Sequence, residues 1–253
     1  MKKYSNLHPA LVERINQEER DAKNPDKASK TRLHQLYGAY IQPNSNKKAQ
    51  AIINQMIYPT PSIHKSITDL LKLHASTSER LLYYEEFYEF ILSHTGAVDK
   101  VMDLGCGFNP FSLPFYPQMP SRYHAIDIDL HTKDTLNAFF EKLFLPKLAI
   151  CEDLETFTPT AKVDLTLMLK LIPVLEASTP GRAYSLANEL NTSWLVATFP
   201  TKSLGGKKKA MATNYSAGFH GAINNNALSN FELTAETVIG NELVFVLKRE
   251  RKP

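Results

Sequence analysis

Apolar positions recur at three- and four-residue spacing early in the chain, as in Leu33, Leu36, Tyr37 and Tyr40 and again in Leu70, Leu71 and Leu73. That period predicts amphipathic helices over residues 1 to about 95. Asn24-Pro25-Asp26 and Tyr58-Pro59-Thr60-Pro61-Ser62 interrupt it, so at least two turns divide the helical stretch. Ser76-Thr77-Ser78-Glu79 has the form of a capping box and predicts one helix running on through Tyr83, Phe87, Phe90 and Ile91.

From Lys100 the pattern changes to short apolar runs separated by helical stretches: Val101 to Leu104, Tyr123 to Ile128, Leu148 to Ile150, Val163 to Leu169, and Trp194 to Phe199. Alternating strands and helices predict a parallel sheet. The end differs, because Phe231 to Val238, Gly240-Asn241 and Glu242 to Lys248 read as two strands joined by a tight turn. The expectation is an α/β, Rossmann-like fold of the class I methyltransferase type. It divides into an N-terminal helical domain over 1–95 and a sheet domain over 96–253.

Composition adds little to the fold but narrows the setting. With 43% hydrophobic and 22% charged residues the chain is an ordinary globular one. Cys106 and Cys151 stand far apart, giving neither a disulfide framework nor a metal-ligand spacing. The chain has no apolar run of membrane-spanning length, and its start lacks the apolar core of a signal peptide, so a cytoplasmic protein is expected. Charge is uneven: residues 1–80 hold 13 Lys/Arg against 7 Asp/Glu. A basic front suits either a polyanion-binding module or a solvated helical surface.

The sharpest local chemistry is Val101-Met102-Asp103-Leu104-Gly105-Cys106-Gly107-Phe108-Asn109-Pro110, an apolar strand entering D-x-G-x-G. Gly105 and Gly107 allow a tight turn and a close approach of a bulky cofactor. A dinucleotide site would want a third glycine where Pro110 stands, which argues for S-adenosylmethionine over a pyrophosphate cofactor. Asp127, at the end of the second strand and 20 residues past Gly107, is placed to accept both ribose hydroxyls. Asp153, at the end of the third, is placed to accept from the adenine amino group. Each alone also reads as a helix cap or a loop residue.

Several longer strings resemble the aminoglycoside-resistance 16S rRNA guanine-N7 methyltransferases that act on guanine 1405. They are Thr31-Arg32-Leu33-His34 with Gly38-Ala39-Tyr40; His74-Ala75-Ser76-Thr77-Ser78-Glu79-Arg80; the glycine motif through Pro110; Leu169-Lys170-Leu171-Ile172-Pro173-Val174-Leu175; and Phe199-Pro200-Thr201-Lys202-Ser203-Leu204-Gly205-Gly206 with Met211, Asn214 and Tyr215. The resemblance implies that His74, Ala75, Ser76 and Arg80 line the methionyl end of the cofactor, with Arg80 on its carboxylate. A guanidinium fork matches a carboxylate bidentately. On the same basis Tyr37, Leu154 and Leu169 complete a pocket with Gly105, Gly107, Asp127 and Asp153.

The resemblance also implies a substrate, guanine 1405 of 16S rRNA in the 30S subunit. A monomer with no membrane association is expected. Lys202, Lys207, Lys208 and Lys209 follow the fifth strand, at the sheet edge where such folds keep their sites. With Lys30, Arg32, Lys47 and Lys48 they are candidate RNA contacts. Tyr215 and Phe219 are candidate stacking partners for an extruded base, or members of the core. No catalytic base is expected, because guanine N7 carries a free lone pair and no proton. Where the family shows G-M-E and W-F, this chain has Ala210-Met211-Ala212 and Gly218-Phe219, so the target loop departs from the pattern while the cofactor motifs do not. Alternatives are a methyltransferase of the same fold with another RNA or small-molecule target, and an inactive ribosome-binding homologue.

Overall fold

The computed structural model describes residues 4–35, 44–60, 62–201 and 210–250. Six helices come first among them: α1 (Pro9–Glu18), α2 (Pro25–Leu33), α3 (Ser45–Gln55), α4 (Ile63–Leu71), α5 (Ala75–Arg80) and α6 (Tyr84–Thr95). The first two open on prolines, which fit a first helical turn because its N–H groups lack partners anyway. Asn24 caps α2 by accepting from the Lys27 N–H at 3.2 Å.

The expected single helix from Ser76 is two. Thr77 Oγ1 donates to the Leu71 and His74 carbonyls, the capping position falls on His74, and no side-chain cap bond forms. The chain then turns at Tyr83, whose N–H bonds the Arg80 carbonyl at 2.8 Å, before α6 begins. The break lets Arg80 turn inward, its guanidinium 5.6 Å from the Tyr84 ring centroid and 5.2 Å from that of Phe87.

Strands and helices then alternate: β1 (Lys100–Leu104), a 3-10 helix (Asn109–Phe115), β2 (Arg122–Asp127), α7 (Leu130–Lys142), β3 (Ala149–Cys151), β4 (Lys162–Leu169), α8 (Ile172–Ser178), α9 (Arg182–Glu189), β5 (Asn191–Pro200), α10 (Ala210–Asn224), β6 (Phe231–Ile239) and β7 (Glu242–Arg249). They form one sheet in the order β3-β2-β1-β4-β5-β7-β6, in which β7 runs antiparallel to β5 and to β6. This is the parallel sheet with an antiparallel hairpin at one edge that the apolar runs predict, and each strand starts and ends within three residues of its run.

Period-two alternation sorts the side chains between two faces. Val101, Leu165, Leu167 and Val196 pack with α3, α4, α6 and α7 through Ile53, Leu70, Phe87 and Phe139. Met102, Leu104, Met168, Leu195 and Ala197 pack with α8, α9 and α10 through Leu175, Leu186 and Phe219. Residues 45–95 therefore share the core of the sheet. A separate cluster of Leu7, Leu11, Ile15 and Leu33 holds α1 and α2 together. Backbone pairing ties this cluster to the exit of β2, with the His8 N–H on the Ile128 carbonyl and the Leu130 N–H on that of Asn6.

Candidate functional site

The carboxyl ends of β1, β2, β3 and β4 face one cavity. Open parallel sheets bind ligands outside those ends, beside the point where strand order reverses, here between β1 and β4. Of the residues expected to hold a cofactor, His74, Ser76, Gly105, Gly107, Asp127, Asp153, Leu154 and Leu169 all line it. Ala75 and Arg80 do not stand among the lining residues. Tyr37 lies outside the described residues.

Gly105 and Gly107 take φ of +63° and +50°, in the left-handed region. A Cβ on Gly105 would stand 2.8 Å from Leu171 Cδ1, and one on Gly107 would stand 2.9 Å from His74 Nε2. The Asp127 carboxylate accepts from the Gly107 N–H at 2.8 Å and from the Asp129 N–H at 3.1 Å, which anchors it to the glycine turn. Burial pushes its pKa up to about 6, against the lowering effect of the Gly107 N–H. Asp129, two residues on, caps α7 by accepting from the Thr132 N–H at 2.6 Å and is wholly buried. The two aspartates at the end of β2 thus divide between the cavity and a helix cap.

Asp153 accepts from Arg14 Nη2 at 3.1 Å and from the Glu155 N–H at 3.1 Å. Burial, with the cations Arg80 and Lys170 nearby, lowers the His74 pKa to about 4, so the ring facing the cavity is neutral at physiological pH. Arg80 is buried against Glu242, donates to Asn109 Oδ1 at 3.0 Å, and has no partner on its Nε among the described residues. Asn109 in turn donates to Asp103, the aspartate of the glycine motif, whose pKa burial raises to about 6.

Several cavity residues were not anticipated. Lys170, Leu171 and Val174 belong to a string already quoted and Glu152 adjoins Asp153, but Leu11 and Arg14 come from α1, and nothing in their local pattern points to a ligand. Lys170 is a non-glycine residue at φ +57°, held there by its N–H bonding to Thr198 and by Nζ contacts with Glu79 at 2.7 Å and Glu242 at 3.3 Å.

The cavity fits S-adenosylmethionine on its own chemistry. Arg14 Nε, His74 Nδ1 and Ser178 Oγ are buried polar atoms on lining residues that have no partner among the described residues, so they suit a polar ligand. Asp127 and Asp153 supply acceptors, and Leu11, Leu154 and Leu175 supply apolar wall for a purine ring.

The candidate RNA contacts separate. Lys30, Lys47 and Lys48 are exposed on α2 and α3, whereas Arg32 is engaged by Glu18 at 3.2 Å and Glu19 at 3.4 Å. Lys202, Lys207, Lys208 and Lys209 lie outside the described residues. Tyr215 is half-buried and stacks on Phe199 at 5.3 Å, while Phe219 is buried against Phe245 at 4.6 Å. The core alternative holds for Phe219.

The chain is 34% identical over 252 residues to a 16S rRNA (guanine(1405)-N(7))-methyltransferase of Serratia marcescens, covering 98% of this chain and 94% of that one. Its fold matches the 16S rRNA methylase RmtB with a TM-score of 0.82 at 31% identity, over 99% of this chain and 94% of the other. It also matches the 16S rRNA methyltransferase RmtF in complex with S-adenosyl-L-homocysteine, with a TM-score of 0.84 at 30% identity, over 98% and 93%. Residues 1–246 match the profile of the FmrO ribosomal RNA methyltransferase family, and to that family the chain belongs.

Proposed function

We propose that this protein transfers a methyl group from S-adenosylmethionine to N7 of guanine 1405 in 16S rRNA of the 30S subunit, and thereby confers aminoglycoside resistance. The observation that carries the reading is the convergence of Gly105, Gly107, Asp127, Asp153 and His74, from separate segments, on one cavity in a chain of this family. It acts in the cytoplasm as a monomer. Residues 96–253 hold most of the cofactor site, and 1–95 dock the subunit through Lys30, Arg32, Lys47 and Lys48, joined by Lys202 and Lys207–Lys209 after β5.

Asp127 takes the ribose hydroxyls, Asp153 the adenine amino group, and Leu154 and Leu169 flank the nucleoside. His74, Ala75, Ser76 and Tyr37 surround the methionyl end, and Arg80, whose Nη atoms are engaged by Asn109 and Glu242, has its Nε left for the carboxylate in place of the bidentate fork. When bound, the cofactor supplies an electrophilic methyl group on sulfur. A neutral His74 adds no positive charge beside that sulfonium. Guanine N7 needs no proton removed, so the chain's task is alignment, which can lower a barrier by roughly 7 to 11 kcal/mol. Tyr215, at the rim of the α10 core, offers a ring for an extruded base.

Labelled methyl transfer to purified 30S subunits, with borohydride and aniline cleavage to locate N7-methylguanine, tests the reading. Cleavage at guanine 1405 is the expected result. Methylation at another residue would remove the target assignment and leave the cofactor site standing.

A further inference from the structure

Besides His74 and Ser76 at the start of α5, the helical half of the chain reaches into the cofactor cavity through Leu11 and Arg14 of α1. That helix is fixed there: Leu7, Leu11 and Ile15 are buried, and backbone bonds on both sides of Ile128 tie the preceding turn to the end of β2. Arg14 is therefore held to the cavity wall by a rigid element. Its Nη2 lies 3.1 Å from Asp153 Oδ2 and 3.5 Å from Oδ1, and its Nη1 lies 3.3 Å from Glu18 Oε1.

Asp153 needs this partner. It is buried, it shares its wall with Glu152 and Glu155, and the Arg14 guanidinium is the cation that reaches it. Among the described lining residues the other Lys or Arg, Lys170, is engaged by Glu79 and Glu242. A carboxylate is an acceptor with lone pairs to spare beyond those that Arg14 and the Glu155 N–H use, which suits an exocyclic amino group. One N–H of the guanidinium, Nε, is buried and lacks a partner among the described residues.

We propose that Arg14 is a positioning residue of the cofactor site, holding the Asp153 carboxylate oriented to receive the adenine amino group, so that α1 is part of the cofactor site as well as of the docking half. This rests on reading the cavity as the S-adenosylmethionine site. The role is specific: Arg14 acts on affinity through Asp153 and leaves the rate of methyl transfer alone.

Calorimetric titration of S-adenosylhomocysteine into the full-length protein tests it in two backgrounds. Arg14→Ala weakens binding about tenfold, as expected for losing a hydrogen bond to a buried charge, and Arg14→Lys recovers part of the loss. In an Asp153→Asn background, Arg14→Ala changes affinity by less than about twofold, because the group it acts through is gone. At saturating S-adenosylmethionine the turnover of Arg14→Ala matches the wild type, with KM alone raised. If the alanine variant does not fold, Arg14→Gln replaces it, keeping most of the packing stem. Affinity unchanged in Arg14→Ala, or an equal loss in both backgrounds, overturns the proposal while leaving the cavity assignment intact. Failure of the wild type to bind S-adenosylhomocysteine overturns the cavity assignment and this inference with it.

Discussion

Arg80 Nη2 lies 2.8 Å from Glu242 Oε2, joining α5 to the first residue of β7 across 162 positions of sequence, with both side chains 4% exposed. Lys170 adds a second cation to Glu242 at 3.3 Å. The carboxylate at the start of the C-terminal hairpin thus holds two cations beside the cofactor cavity. Burial alone would push the Glu242 carboxyl up, but Arg80 and Lys170 outweigh it and hold the pKa below the ordinary 4.5.

Glu242→Ala leaves the Arg80 guanidinium buried without its carboxylate. Removing one partner of a buried pair typically costs about 3–5 kcal/mol, and urea unfolding of this variant is expected to show a loss of that size. Because the folded pKa is lowered, the pair's stabilisation is present above the unfolded value and is lost as pH falls through the lower folded one. Wild-type stability should therefore fall in the acid range below 4.5, and the variant's should fall less.

The proposed role of Asp127 implies a second pH dependence, in cofactor affinity and at higher pH. Its pKa of about 6 means that the ionised acceptor is lost as pH falls through that value, while His74, near 4, stays neutral and contributes nothing there. S-adenosylhomocysteine affinity is expected to weaken between pH 7 and 5, approaching about tenfold per unit well below pH 6. Asp103 titrates in the same range but faces Asn109 and Tyr123 instead of the cavity. Asp127→Asn separates the two: it should bind more weakly and show a flat profile, and a profile unchanged in shape would assign the titration elsewhere.

The glycine turn admits no side chain. Gly107→Ala places a Cβ 2.9 Å from His74 Nε2 at a backbone φ of +50°, a region that disfavours residues with a Cβ by about 1–2 kcal/mol. Calorimetry should show a loss of S-adenosylhomocysteine affinity with a modest drop in thermal midpoint. Pairing it with His74→Ala should relieve the clash and leave the backbone cost.

Much of this arrangement was legible in the chain. Strands of period two, the Gly240-Asn241 turn and the glycine motif are local signals, and the structure places them where the apolar runs put them. What local pattern does not carry is partnership across the sheet. Arg80 reads as a surface helix residue until Glu242 is seen against it, and Arg14 reads as one more charge on α1 until Asp153, 139 residues on, meets it. The capping box at Ser76 misled because Thr77 reaches back to Leu71 and His74, tertiary context overriding a local rule.

The proposed subunit docking calls on exposed cations, and Lys47 and Lys48 at the start of α3 are both exposed. Lys47→Glu with Lys48→Glu should weaken 30S binding and flatten its salt dependence by roughly 0.7 to 0.9 log units per log unit of salt for each phosphate no longer neutralised. S-adenosylhomocysteine affinity should not change. An unchanged salt slope would place the docking surface elsewhere.

Gly218 stands on α10 at an exposed position where an added Cβ meets nothing within 4 Å. Glycine in a helix interior is less favourable than alanine by roughly 0.5–1 kcal/mol, through the freedom it loses on folding. Gly218→Ala should therefore raise stability by about that amount in urea unfolding and leave cofactor affinity alone, since the cavity lies at the carboxyl ends of β1 to β4. Gly218→Trp should also be accepted without loss of thermal midpoint, because the position is exposed and its Cβ meets nothing within 4 Å. If either variant lowers stability, the α10 surface is packed more tightly than this structure has it, and the departure from the family pattern has a steric cause.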